Sequence, residues 1–92
     1  MLQPVYTNSF EKNIARCIKR GYDMSVFKIV ASILIEDIPL PQQYKPHKLS
    51  GNYANHWECH IKPDWLLIYR YNTERTQIIF ETTGTHSDIF KK

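Results

Sequence analysis

The hydrophobic period changes once along the chain, and this change constrains the fold more than any other feature. Between residues 8 and 35 apolar side chains recur every three or four positions, as on a helix that buries one face. From Trp57 onward they recur at every second position, as on a strand. Helices followed by strands predict an α+β domain, because each apolar face needs the other as its cover.

The first predicted helix begins near Ser9. Asn8, with Glu11 three residues later, has the arrangement of a capping box, and Gly21 is a typical C-terminal stop. Its apolar stripe is Phe10, Ile14, Cys17 and Ile18. The basic residues on its other surface are interpreted as a solvated face.

A second helix follows, with Asp23 or Ser25 as its cap, and Pro39 and Pro41 prevent its continuation. Its apolar positions are Val26, Ile29, Val30, Ile33 and Leu34. The two helices are expected to form a hairpin that packs on a sheet.

The second half predicts an antiparallel meander with strands at residues 57–62, 65–71 and 76–83. In the first of these, apolar residues alternate with polar residues on a wet face, namely Glu58, His60 and Lys62. A turn at residues 62–64 joins it to WLLIYRY, whose nearly continuous apolar character is typical of a central strand covered on at least part of both faces. A second turn is expected at residues 72–74.

The remaining segments complete the predicted sheet. Residues 39–56 form a long loop with a short strand near residues 47–49, and residues 3–7 add a strand at an edge or beside the last strand. Gly84 ends the last strand, and His86 to Phe90 form a final turn. We therefore expect two N-terminal helices on one face of a mainly antiparallel sheet of about four strands, with the other face free.

Composition limits the class of protein. The 92 residues form one domain, 1–92, and 42% hydrophobic residues predict a packed core. No segment reaches the ~18 apolar residues of a membrane span and no signal peptide is recognised, so a cytoplasmic protein is expected. Two cysteines without metal-ligand spacing predict buried thiols, and the net charge of +3 is only a mild bias toward polyanions.

All four histidines lie in the C-terminal half, at positions 47, 56, 60 and 86. Imidazoles on an open sheet face can supply an acid and a base near neutral pH without a metal. Two plain alternatives remain: His60 as a solvent-facing strand residue, and Asp64 as a turn former. Trp65 is either core or a surface for base stacking, and Lys45 and Lys48 are either solvated or a phosphate grip.

Three ordered segments resemble signatures of YafQ-type toxins in the RelE/ParE superfamily. They are His47-Lys48-Leu49-Ser50-Gly51, the stretch from Glu58 to Tyr69, and the stretch from Thr83 to Phe90. The helical first half is also similar, so the resemblance spans essentially the whole chain. Motifs of serine hydrolases, P-loop nucleotide triphosphatases and zinc proteases are absent from the sequence.

The resemblance implies the toxin of a type II toxin–antitoxin pair, a ribosome-dependent mRNA endonuclease without metal or other cofactor. The ribose 2′-OH attacks the adjacent phosphorus and leaves a 2′,3′-cyclic phosphate. The implied catalytic residues are His47, His60, Asp64 and His86, with His86 as proton donor and Asp64 or His60 as base. The implied substrate contacts are Trp65, Phe90, Lys45, Lys48, Lys62 and Arg70. Trp65 and Phe90 either pack the site or stack on bases.

The implied partners are the ribosome with its mRNA and an antitoxin resembling RelB or DinJ. Operator DNA is expected only through the antitoxin complex, and a membrane partner is not expected.

Two positions depart from the family pattern. Relatives usually carry arginine where this chain has Trp57 and Thr82. An arginine fork suits a phosphorane, and neither replacement provides that charge. Weakened cleavage is therefore expected unless Lys62, Arg70 or Arg75 substitutes.

Two other functions remain as alternatives. One is a weakened homologue that mainly binds the antitoxin and helps to repress the operon. The other is a ParE-like gyrase inhibitor, which the histidine set disfavours because that branch is not expected to need catalytic imidazoles.

Overall fold

A computed structural model describes residues 1–90. Its two long helices precede the strands of the meander, as the sequence predicts. The strands are β1 (Gln3–Tyr6), β2 (His47–Lys48), β3 (Trp57–Lys62), β4 (Trp65–Tyr71) and β5 (Gln77–Gly84). The helices are α1 (Asn8–Lys19), α2 (Met24–Ile35) and α3 (His86–Phe90), with 3-10 helices at Gln42–Tyr44 and Gly51–Tyr53.

The sheet has five strands in the order β1-β5-β4-β3-β2. β1 is parallel to β5 and every other pair is antiparallel. The α+β class and the mainly antiparallel sheet are therefore confirmed. The segment at the N-terminus lies both at an edge and beside the last strand, which makes five strands rather than about four.

The first helix begins one residue earlier than predicted. Thr7, not Asn8, is its N-cap: the Thr7 hydroxyl accepts a hydrogen bond from the Phe10 amide at 2.9 Å and donates one to the Glu81 carbonyl at 2.8 Å. Thr7 is favoured as the N-cap because its hydroxyl hydrogen-bonds both to α1 and to β5. At the other end Gly21 has φ 83° and the Tyr22 amide donates to the Cys17 carbonyl at 3.1 Å, which confirms the predicted stop.

The second helix has Asp23 as its cap, since its carboxylate accepts a hydrogen bond from the Ser25 amide at 3.0 Å. It ends at Ile35, before the prolines are reached, and Asp37 turns the chain with φ 62°. No helix in residues 1–90 has the length and apolar character needed to cross a membrane.

The core lies between the two long helices and one face of the sheet, as predicted. Cys17 and Val30 from the helices and Phe80 from β5 are completely buried in it. Both thiols are free and buried, and burial raises the pKa of Cys59 to about 12. These thiols are therefore protonated and unreactive at neutral pH.

The opposite face of the sheet is not free, so that expectation was wrong. Leu66 and Ile68 have no exposed surface. The loop after β2 approaches this face, because the His56 ring lies 3.9 Å from the Glu81 carboxylate. The Tyr53 and Phe90 rings lie 5.8 Å apart, so the loop also meets α3. The cover is incomplete and leaves the ends of β2 and β3 accessible.

Candidate functional site

Three histidines form a row on the side of the sheet away from α1 and α2. The His47 and His60 ring centroids are 6.1 Å apart, and those of His60 and His86 are 5.9 Å apart. The row joins β2, β3 and α3, so the fold brings together residues that are up to 39 positions apart in the sequence. His56, the fourth histidine, lies outside the row beside Glu81.

Glu58 joins two members of this row, and the sequence prediction missed it. Its Oε1 lies 3.2 Å from His47 Nε2 and 3.4 Å from His60 Nε2. β2 and β3 place His47 directly opposite Glu58, and His60 follows two residues later on the same face. Because the histidines cover it, the Glu58 side chain is only 6% exposed instead of solvated. The sequence did contain one signal: Glu58 and His60 are two positions apart in a predicted strand and therefore share a face.

Asp64, in the β3–β4 turn, binds His86, the third histidine of the row. Its Oδ1 accepts a hydrogen bond from the His86 amide at 3.0 Å and lies 2.6 Å from His86 Nδ1. These backbone and side-chain hydrogen bonds lower the pKa of Asp64, which is therefore a carboxylate at neutral pH. A carboxylate can only accept, so we assign the proton to Nδ1 of His86. Its Nε2 is then the nitrogen that can exchange a proton with a substrate.

The two aromatic residues of the predicted site are packing residues in this structure. Trp65 is only 3% exposed, its Nε1 donates to the Thr83 hydroxyl at 2.9 Å, and its ring packs on Tyr22 at 4.9 Å. That leaves almost no ring surface for a nucleobase. Phe90 is half-buried against Tyr53. Of the two roles predicted for this pair, packing fits the geometry.

The predicted cations are not all near the row. Lys62 lines clefts that also include His60 and Asp64, and exposed Lys45 precedes His47, whose Nδ1 lies 2.9 Å from the Lys45 carbonyl. Lys48, in contrast, pairs with Trp57 in the β2–β3 register and so belongs to the other face.

The arginines are divided in the same way. Arg70 Nε donates to Glu81 at 2.9 Å, on the histidine side of the sheet. Arg75 binds Asp37 at 3.0 Å and stacks 4.0 Å above the Tyr71 ring, near the end of α2. Arg75 is therefore not a substitute for a missing arginine at the site, whereas Lys62 and Arg70 remain candidates.

Within residues 1–90, one group of side chains could hold a metal ion. The candidate ligand atoms of His47, Glu58 and His60 all lie within 4.8 Å of one another. Two imidazoles and a carboxylate suit a borderline divalent ion such as Zn²⁺ or Cu²⁺. The sequence does not indicate this group, because its ligands come from two strands rather than from one motif.

Comparison with known proteins identifies the family. The model of the family described as "Bacterial toxin of type II toxin-antitoxin system, YafQ" matches residues 2–91. The Escherichia coli K12 protein "mRNA interferase toxin YafQ" is 36% identical over 86 residues, which cover 92% of this chain and 91% of that protein. The chain therefore belongs to the YafQ family of bacterial toxins from type II toxin–antitoxin systems.

Solved structures agree with this assignment. YafQ in the E. coli DinJ-YafQ toxin–antitoxin complex superposes with a TM-score of 0.88 at 34% identity, over 97% of each chain. A metal-bound toxin from Helicobacter pylori gives a TM-score of 0.91 at 32% identity, over 98% of this chain and 100% of that one.

Proposed function

We propose that this chain is an mRNA interferase that cleaves the message on the ribosome, in the cytoplasm, by attack of the ribose 2′-OH on the adjacent phosphorus. The observation that carries the proposal is the exposed His86 ring, bound to Asp64 at 2.6 Å and 5.9 Å from the His60 ring. Such a pair of imidazoles fits the need for one proton acceptor and one proton donor. The name of the E. coli relative, an mRNA interferase, supports mRNA as the target.

The geometry favours a division of roles. Asp64 is engaged twice by His86, which leaves His60 as the better candidate for the base that accepts the 2′-OH proton. As an imidazolium, with Nδ1–H bound to Asp64, His86 donates its second proton from Nε2 to the leaving 5′ oxygen and is left neutral. His47 completes the row and shares Glu58 with His60. Because the imidazoles are neighbours, their titrations are coupled, and a pH–rate profile reports on the set.

The reaction is tested on translating ribosomes. The purified protein, either untreated or first treated with a chelator that is then removed, is mixed with ribosomes carrying a defined message, and the ends of the fragments are analysed. We expect 5′-hydroxyl and 2′,3′-cyclic phosphate ends in both conditions. Ends with 5′-phosphate, or loss of cleavage after chelator treatment, would contradict the mechanism. Cleavage of free RNA at the same rate would contradict ribosome dependence.

A weakened enzyme that acts mainly as antitoxin-binding co-repressor is the second candidate, and one observation favours it. Trp57 packs against the helix-side core, and the hydroxyl of Thr82 donates to Asn13 at 2.6 Å, so neither position supplies a cation. Charge stabilisation then depends on Lys62 and Arg70. Growth on induced expression separates the two functions, since an active interferase arrests it.

Thr82→Arg is expected to accelerate cleavage by up to ~10² to 10³-fold, because an aligned cation on a phosphorane is worth ~3 to 4 kcal/mol. Thr82 lines a polar cleft of about 340 Å³ in which a longer side chain has room. Trp57→Arg, at the other position where relatives carry arginine, should help less, because Trp57 packs against the core and an unpaired charge there costs stability. The measurement is cleavage on ribosomes beside thermal melting. If Thr82→Arg folds and is no faster than wild type, another cation already occupies the role.

We propose that an antitoxin resembling DinJ neutralises this chain, as the E. coli YafQ structure with DinJ suggests. Ile18 on α1 and Ile29 on α2 are 56% and 53% exposed, and a net charge of +3 favours an acidic partner. An amphipathic segment could cover both features. Copurification with the product of the neighbouring reading frame tests this proposal. Operator binding is expected only from the complex.

A further inference from the structure

His86 lies in a helix too short to be stable alone. α3 has five residues, whereas isolated helices need roughly 12 or more to be even marginally stable in water. The position of the imidazole therefore depends on the contacts that hold α3 to the rest of the domain. Asp64 is one such contact, from the β3–β4 turn. A second lies on the opposite side of α3.

The second contact begins with a capping box. The Asp88 amide donates to the Thr85 hydroxyl at 3.0 Å, and the Thr85 amide donates to the Asp88 carboxylate at 2.9 Å. These reciprocal hydrogen bonds fix the turn that contains His86. Gly84 shows how closely the carboxylate fits, since a Cβ there would lie 2.7 Å from Asp88 Oδ2.

Helix α1 then holds the same carboxylate with a forked arginine. Arg20 Nη1 lies 2.6 Å from Asp88 Oδ2, and Nη2 lies 3.0 Å from Oδ1. Arg16 Nη1 adds a longer contact of 3.4 Å to Oδ1. The Asp88 side chain is only 14% exposed, and the hydrogen bonds from Arg20 hold its pKa well below the usual range. Two parallel charged hydrogen bonds fix direction as well as distance.

We propose that Arg20, acting through Asp88, is a positioning residue that aligns His86 for proton transfer. The inference rests on the proposed cleavage function. It assigns a role to one of the basic residues of α1, which were interpreted from the sequence only as a solvated face. Without Arg20, α3 retains Asp64 near the ring and the longer contact from Arg16. Neither fixes the direction of Asp88 as the fork does, so the turn can rotate about Asp64. A displacement of about 1 Å at a reacting group can cost ~10² in rate.

Three variants test the proposal on the full-length protein. Arg20→Gln removes the fork, Arg20→Lys keeps the charge without the fork, and Asp88→Asn keeps a cap acceptor without the charge. The matched control is Lys19→Gln, which removes an adjacent α1 charge that makes no ion pair within residues 1–90. Thermal melting of each variant confirms that it is folded.

We expect Arg20→Gln to lower kcat on ribosomes by ~10 to 10²-fold. Its KM should change no more than that of Lys19→Gln, since both lose one charge that attracts RNA. The kcat of Arg20→Lys should lie between the kcat of wild type and that of Arg20→Gln. The double variant with Asp88→Asn should be little slower than Arg20→Gln, because both changes break one interaction.

Nuclear magnetic resonance of ¹⁵N-labelled histidine gives a readout that does not need activity. In wild type the His86 Nδ1 proton should show a hydrogen bond to Asp64, and Arg20→Gln should alter that signal while Lys19→Gln leaves it unchanged. An unchanged signal, or an unchanged kcat, in a folded Arg20→Gln variant would overturn the proposal. An inactive wild type whose signal still responds to Arg20→Gln would refute the cleavage function and leave the positioning intact.

Discussion

His86→Ala is expected to reduce cleavage of ribosome-bound message by ~10² to 10⁴, the usual cost of removing one general acid or base. The side chain of His86 is 53% exposed and contributes little to the core. Its amide hydrogen bond to Asp64 does not involve the ring and can persist in the variant. Thermal stability should therefore change little while activity collapses.

The comparison variant for this experiment is His56→Ala. It removes an imidazole from the same side of the domain, but one that lies beside Glu81 and outside the histidine row. Cleavage and growth arrest should survive this change. If the His86→Ala variant is well expressed and still arrests growth fully, His86 is not the proton donor. If both variants lose activity equally, the effect is general loss of basic surface.

The elements of the fold were predictable where local physics decides them. Gly21 ends α1 because the chain needs a left-handed residue there, and the sequence contains a glycine at that point. Trp57, Cys59 and Ile61 face the core because a strand alternates its sides. Clustering in the C-terminal half grouped all four histidines, including His56, which lies outside the row. Only the family resemblance implied the smaller set.

Features that depend on distant contacts were not predictable in the same way. Thr7 became the cap of α1 because β5 offers its hydroxyl a second partner. Glu58 is buried because His47, from another strand, covers it. The continuous apolar run of β4 indicated some cover on both faces, but not that the loop after β2 and α3 would provide it over Leu66. Each of these requires the tertiary arrangement, which periodicity does not contain.

Glu58→Gln is expected to lower cleavage by ~10 to 10²-fold without unfolding the protein. Glutamine keeps the volume of the side chain, but its amide nitrogen donates and its neutral oxygen is a weaker acceptor. The two imidazoles within 3.4 Å of Oε1 then lose the charge that fixes their orientation. Glu74→Gln, a charge change in the exposed β4–β5 turn, should leave the rate unchanged. A Glu58→Gln variant as fast as wild type would show that this carboxylate only fills space.

Combining Glu58→Gln with each histidine variant identifies which imidazole needs the carboxylate. If Glu58 acts by orienting a base at His60, Glu58→Gln should add almost nothing to the effect of His60→Ala, because both changes remove the same function. Added to His47→Ala, it should retain most of its effect. The opposite result, with coupling to His47 alone, would place the base in β2 rather than β3. Cleavage rates of the single and double variants on one message decide between the two strands.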